Sequence, residues 1–240
     1  MKPQTLQKTA LALLVGWYAA NAAAYSEQGQ AGNTKSWESA EYLKDWGLTS
    51  MNASTAYALG FNGSGVKIGV MDSGVLLNHP EFQDGRIHVV KTEGTYSKNG
   101  MRYPDASVGN GQINKNEPVK NGKRNFDKTD NGIFTKGEAF NIDGAWHKYT
   151  NDAHGTHVGG TMAASRDGNE MHGVAFGANL YSANTGGNDN MTYGPNQDYS
   201  FFLQGYSALA DAGAKVINNS WGSNRRVNSS FAGALGYKPK

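Results

Sequence analysis

The sequence has 240 residues, enough to bury the core of one large domain. Glycine accounts for 32 of them and cysteine is absent, so loops are abundant and disulfide bonds are excluded. Lysine and arginine number 22 against 20 aspartates and glutamates, and no block of like charge stands out that would bind a nucleic-acid backbone or an anionic membrane.

The first 24 residues have the pattern of an export signal. Two lysines give a positive start, residues 10–20 are apolar, and three alanines at 22–24 offer a small-residue cleavage site. A membrane-spanning helix is the alternative, but the apolar run is shorter than the roughly 18 residues that a span requires. We expect a cleaved signal peptide and no membrane insertion of this segment.

Residues 25–49 form a predicted N-terminal extension. Hydrophobic residues at 37, 40, 43 and 46 follow the spacing of one helix face. A second short helix is expected over residues 54–59, closed by Gly60. Residues 66–71 (V-K-I-G-V-M) are then predicted to form a buried strand.

Asp72 follows this strand directly, with Ser73 and Gly74 after it. Catalytic and ligand-binding groups collect at the C-terminal ends of parallel strands, and Ser73 is placed to donate a hydrogen bond to the carboxylate. An ordinary turn is the alternative, since Asp-Ser-Gly is common turn chemistry.

The polar stretch at residues 81–150 is rich in glycine, asparagine and lysine and has no clear hydrophobic period. A structureless loop of that length is unusual in a compact domain. We expect an insertion with short elements of its own.

His154 stands near the start of a predicted helix over residues 153–165. An imidazole held by a carboxylate is oriented and its cationic form is stabilised, as a general base requires. A metal site formed with His157 is the alternative. It lacks the glutamate of the zinc signature, and His157 would lie roughly 300° around the helix from His154.

Three further elements follow: a strand near residues 178–183, a helix over 198–212 and a strand over 215–219. Alternating strands and helices imply right-handed crossovers. The predicted fold class is therefore α/β, a parallel sheet with helices on both faces.

Three motifs in this order resemble the signatures of the subtilisin-like serine proteases: V-M-D-S-G-V, N-D-A-H-G-T-H-V-G-G-T-M-A-A and V-I-N-N-S-W-G. The resemblance covers about residues 50–225 apart from the insertion. With the export signal, it is most similar to the bacterial autotransporter branch. It implies that residues 50–240 are the N-terminal part of a subtilisin-like peptidase domain.

The resemblance implies a role for each matching residue. Asp72 would be the aspartate of the catalytic triad and His154 the general base. Ser220, Trp221 and Gly222 would bind a polypeptide substrate as an added strand and line the pocket for its side chain. Core packing is the alternative for Trp221. No metal-binding spacing is recognisable, so no cofactor is expected.

The resemblance also implies where the protein acts. A protein of this branch would be exported through the periplasm of a Gram-negative bacterium and be secreted or held at the cell surface. A C-terminal translocator would be its partner in export.

The resemblance breaks at the nucleophile. The family motif G-T-S-M-A-x-P does not occur, and Ser223, Ser229 and Ser230 do not stand in it. The domain is therefore expected to be truncated, with Asp and His present and Ser absent. The alternatives are an inactive peptide-binding module and a metal-dependent hydrolase using Asp72, His154 and His157. The coding sequence beyond Lys240 distinguishes the first alternative from a protease.

The 240 residues by themselves are expected to have no peptidase activity, because loss of the serine alone lowers turnover about 10⁶-fold in subtilisin. The measurement is hydrolysis of a peptide substrate by the purified chain. Cleavage that a serine-protease inhibitor blocks would overturn this expectation.

Overall fold

We describe a computed structural model that covers residues 29–101, 133–134, 136–146, 153–185 and 199–221. None of the helices in these ranges has the length and apolar character needed to cross a lipid bilayer. The chain divides into two compact units. One is formed by the described residues up to Phe61 together with Arg166–His172, and the other by those of Asn62–Ser165 and Gly173–Lys240.

The first unit is made of short helices. They are a 3₁₀ turn at Thr34–Trp37, α1 (Ala40–Lys44), α2 (Trp46–Ser50) and α3 (Ala53–Ala58). The single helix face predicted from residues 37–46 is wrong, because Asp45 has extended dihedral angles and its side chain caps α2 at the amide of Gly47. Trp46 is consequently 81% exposed. The second helix is confirmed, and Gly60 has the positive φ of a helix end.

Aromatic side chains form the core of the first unit. Tyr42 and Tyr57 both pack against the buried ring of His172, at centroid distances of 6.1 and 5.9 Å. Glu41 is buried beside them and accepts hydrogen bonds from the amides of Asp167 and Gly168. Burial raises the pKa of Glu41, while these amides favour its ionised form. Residues 166–172 are thus part of this unit.

The second unit contains all the strands of the described residues. Their bounds are β1 (Lys67–Asp72), β2 (Ile87–Val89), β3 (Lys91–Thr95), β4 (Gly100–Met101), β5 (Ile133–Phe134), β6 (Ala139–Asp143), β7 (Asn179–Asn184) and β8 (Val216–Asn218). A central parallel sheet has the order β2-β7-β1-β8. In its register Asp72 is opposite Asn184, so the last residues of β1 and β7 lie side by side.

Two helices cover the sheet, α4 (His154–Ala163) and α5 (Ser200–Asp211). Val70 packs with α4 residues in one cluster, whereas its neighbour Met71 packs with α5 residues in another. Successive side chains of a strand point to opposite faces, so the helices lie on opposite sides of the sheet. The predicted α/β fold class is confirmed.

The predicted insertion contributes one strand to the central sheet and four strands to two antiparallel ribbons. Ile87–Val89 forms β2 and pairs with β7, so three of its residues belong to the central sheet. β3 pairs with β6, and β4 pairs with β5, in two antiparallel ribbons. These ribbons are short elements of the expected kind. Residues 102–132, 135 and 147–150 of the insertion lie outside the described ranges.

Candidate active site

Asp72 is the last residue of β1, at the C-terminal edge of the central sheet. Its carboxylate is 4% exposed, and Oδ1 accepts a hydrogen bond of 2.7 Å from the amide of Ser73. Its carbonyl accepts another from the amide of Thr185. The backbone of β1 and the turn after it therefore fix the direction of this carboxylate.

His154 is the first residue of α4, and its imidazole meets the carboxylate of Asp72. The distance from His154 Nδ1 to Asp72 Oδ1 is 2.8 Å, and the imidazole side chain is 46% exposed. An ionised carboxylate can only accept, so Nδ1 carries the proton in this contact. In the neutral ring Nε2 is then the acceptor. The pair consists of a buried carboxylate and an imidazole that solvent can reach.

Two glycines allow close backbone approaches around this pair, Gly74 to the segment at Ala145 and Gly155 to the turn after β1. Gly74 has φ +90°, and a Cβ there would lie 2.4 Å from the carbonyl oxygen of Ala145. A Cβ at Gly155 would lie 2.5 Å from the carbonyl oxygen of Gly74. Both distances are well below van der Waals contact, so a larger residue would force the backbones apart. The glycine in H-G-T is needed for the contact between His154 and Asp72.

Ser73 makes the predicted hydrogen bond to the Asp72 carboxylate and a second contact that the sequence does not predict. The bond to the Asp72 carboxylate comes from the Ser73 amide, while the Ser73 hydroxyl accepts the N–H of Gly155 at 2.8 Å. The side chain therefore contacts the start of the histidine helix. This contact could not be read from D-S-G, because it joins residues 82 positions apart.

The S-W-G segment is described as far as Trp221, and Gly222 lies outside the described ranges. The Ser220 hydroxyl accepts a hydrogen bond from the Asn218 side chain. Trp221 is 40% exposed and donates its indole N–H to the carbonyl of Met71 at 2.6 Å. Its ring also packs against Phe202. Trp221 is therefore attached to the strand that carries Asp72.

The metal-site alternative finds no support in the geometry. Across the described ranges, which include Asp72, His154 and His157, no three histidine, cysteine or acidic side chains cluster in a way that could hold a metal ion. The imidazole of His157 is exposed. The set proposed for a metal-dependent hydrolase is not assembled.

Two polar residues near the pair are not among those predicted from the sequence. Asn184 ends β7 beside Asp72 and donates its side-chain amide to the carbonyl of Ala145 at 2.7 Å. Thr156 accepts the amide N–H of Leu76 at 3.0 Å. The sequence offers one signal for each of them. Asn184 is a polar residue at the end of a predicted strand, and Thr156 is the threonine of H-G-T.

The chain is similar to known proteins along most of its length. Residues 63–238 match the model of the subtilase family, peptidase family S8. Two extracellular serine proteases of Serratia marcescens are 32% and 33% identical over 97% and 90% of this chain, and over 17% and 15% of their own length. Bacillopeptidase F of Bacillus subtilis is 30% identical over 74% of this chain and 10% of its own. The chain spans less than a fifth of the length of each relative.

Proposed function

Because the chain belongs to the subtilase family, we propose that it supplies the aspartate and the histidine of an exported serine endopeptidase. The observation that carries the proposal is the 2.8 Å contact between His154 Nδ1 and Asp72 Oδ1. The nucleophile is a serine outside the described residues. The substrates are polypeptides, and no cofactor takes part.

In this proposal His154 acts through Nε2. It accepts the proton of the serine hydroxyl while the serine oxygen attacks the carbonyl carbon of the scissile peptide bond. Asp72 stabilises the imidazolium that forms and keeps Nδ1 protonated. The imidazolium then gives its proton to the leaving amine, and an acyl-enzyme remains. Water, activated by the same base, hydrolyses that ester and regenerates the serine.

Binding of the substrate is assigned to the segment formed by Ser220, Trp221 and Gly222. A peptide that adds as a strand gains main-chain hydrogen bonds that depend little on sequence, while a neighbouring pocket selects a side chain. The bond from Trp221 to Met71 supports this assignment, since it attaches the segment to the strand that ends at Asp72. A peptide on this segment would lie close to the catalytic pair.

Export is supported by the pattern of residues 1–24 and by two relatives that are named extracellular serine proteases. The proposed route crosses the periplasm of a Gram-negative cell and ends outside the cell or at its surface. A translocator would complete the path across the outer membrane.

A fluorophosphonate probe, which reacts with activated serines, tests the function directly. A form of the protein that includes the nucleophile is expected to be labelled, and Asp72→Asn and His154→Ala are expected to abolish labelling, because the serine is then no longer activated. His157→Ala is the matched control, since this exposed histidine of the same helix is outside the proposed pair and should leave labelling intact.

Two outcomes would contradict the proposal. Equal labelling of His154→Ala and the parent protein would remove His154 from the mechanism. Absence of labelling in the parent protein would favour the inactive peptide-binding module.

A further inference from the structure

The residue at the N-cap position of helix α4 cannot cap it with a side chain. This residue is Ala153, and the first turn of the helix holds no acidic residue. The first amides of a helix have no partner within the helix, so another part of the chain must satisfy them or water must. The turn after β1 supplies one partner, because the Ser73 hydroxyl accepts the N–H of Gly155.

The helix returns a hydrogen bond to the same turn. Thr156 Oγ1 accepts the amide N–H of Leu76 at 3.0 Å, 80 residues away in sequence. One bond runs from helix to turn at Gly155 and the other from turn to helix at Thr156. They connect different positions along both segments, so together they oppose sliding and rotation of α4 against the turn.

These two bonds flank the proposed catalytic pair. Ser73 immediately follows Asp72, and Gly155 immediately follows His154. A shift of about 1 Å at a reacting group can lower a rate about 100-fold. The position of His154 therefore has to be fixed to within about 1 Å, and hydrogen bonds that hold the first turn of α4 on the turn after β1 would restrict such shifts.

We propose that Thr156 is a positioning residue for the peptidase reaction, holding α4 so that His154 Nδ1 stays on Asp72 Oδ1. The inference rests on the proposed function, and its mechanism is local. Thr156 Oγ1 binds the amide of Leu76, and Thr156 is joined to His154 by two peptide links. Without the hydroxyl, the first turn of α4 loses the bond that sets its register on the turn at 73–76.

Thr161 provides a matched control in the same helix. Its hydroxyl donates to the carbonyl of His157, one turn earlier, and so makes a bond within α4 only. Such a bond cannot fix the helix relative to another segment. Thr156→Val and Thr161→Val make the same chemical change, and only the first removes a contact with the turn.

The experiment measures kcat and KM in a form that includes the nucleophile, and the hydrogen-bonded Nδ1 proton of His154 by NMR. Thr156→Val is expected to lower kcat about 10-fold to 100-fold with little change in KM, and to weaken or remove the low-field signal of this proton. Thr156→Ser, which keeps the hydroxyl, is expected to restore both. Thr161→Val should match the parent protein in both.

The outcomes separate this inference from the proposed function. If the parent protein shows no low-field proton and no turnover, the proposed function fails. If the parent protein shows both, but Thr156→Val leaves kcat and the proton signal unchanged, only the role of Thr156 fails. Should Thr156→Val not fold, hydrogen exchange of the Leu76 amide in the parent protein decides. Slow exchange supports the contact, and exchange as fast as that of an exposed loop overturns it.

Discussion

Replacing His154 with alanine is expected to lower kcat about 10⁶-fold in a form of the protein that includes the nucleophile, as loss of the corresponding histidine does in subtilisin. The imidazole of His154 is the proposed base, and it is both held by a buried carboxylate and partly exposed to solvent. Without it the serine proton has no acceptor, and the nucleophile stays neutral. The assay is steady-state hydrolysis of a peptide substrate.

Asp72→Asn gives a graded comparison. It is expected to lower kcat about 10⁴-fold, less than loss of the histidine, because the base remains but its tautomer and orientation are no longer fixed. His157→Ala, in the same helix, should leave kcat unchanged. A fall of less than 100-fold for His154→Ala would be inconsistent with a triad mechanism.

Replacing Gly155 with alanine is expected to destabilise the second unit by about 1–3 kcal/mol. The added Cβ would lie 2.5 Å from the carbonyl oxygen of Gly74 and 3.0 Å from the amide nitrogen of Ser73. Backbone atoms cannot move aside as a flexible side chain can, so α4 must move away from β1. This movement also separates His154 from Asp72, and kcat should fall about 100-fold.

Gly160→Ala is the control for this substitution. Gly160 lies in the same helix, and a Cβ there would meet nothing within 4 Å. Alanine has the higher helix propensity, so this variant is expected to be more stable by about 0.5–1 kcal/mol. The measurement is the free energy of unfolding for both variants. If Gly155→Ala and Gly160→Ala changed the free energy of unfolding by the same amount and in the same direction, the steric argument at Gly155 would be wrong.

Part of the central sheet and the candidate pair were accessible from the sequence for a physical reason. β1 contains a short apolar run at residues 68–71, whose neighbours Val70 and Met71 pack into two different buried clusters. Such runs are recognisable without knowledge of their partners. Since parallel strands end at a common edge, a carboxylate at the end of β1 could be placed there from order alone.

Features that depend on contacts distant in sequence could not be found in this way. The pairing of β2 with β7 joins residues more than 90 positions apart, so the sequence alone assigns Ile87–Val89 to an insertion. The bond from Trp221 to Met71 spans 150 positions. The break at Asp45 has another cause. The hydrophobic spacing of residues 37–46 predicts one continuous helix, but the Asp45 side chain caps a new helix that starts at Trp46.

The first unit is built from two stretches of chain that are far apart in the sequence, and this affects what a backbone cut can release. Trp37, Tyr42 and Tyr57 contact Arg166 or His172, while Glu41 binds the amide of Gly168. A proteolytic nick after Phe61 would therefore sever only one covalent connection. The N-terminal piece would stay bound through these contacts, and its dissociation would expose the ring of His172 to water. Residues 29–61 are thus held in this unit by side-chain contacts as well as by the peptide bond that follows Phe61.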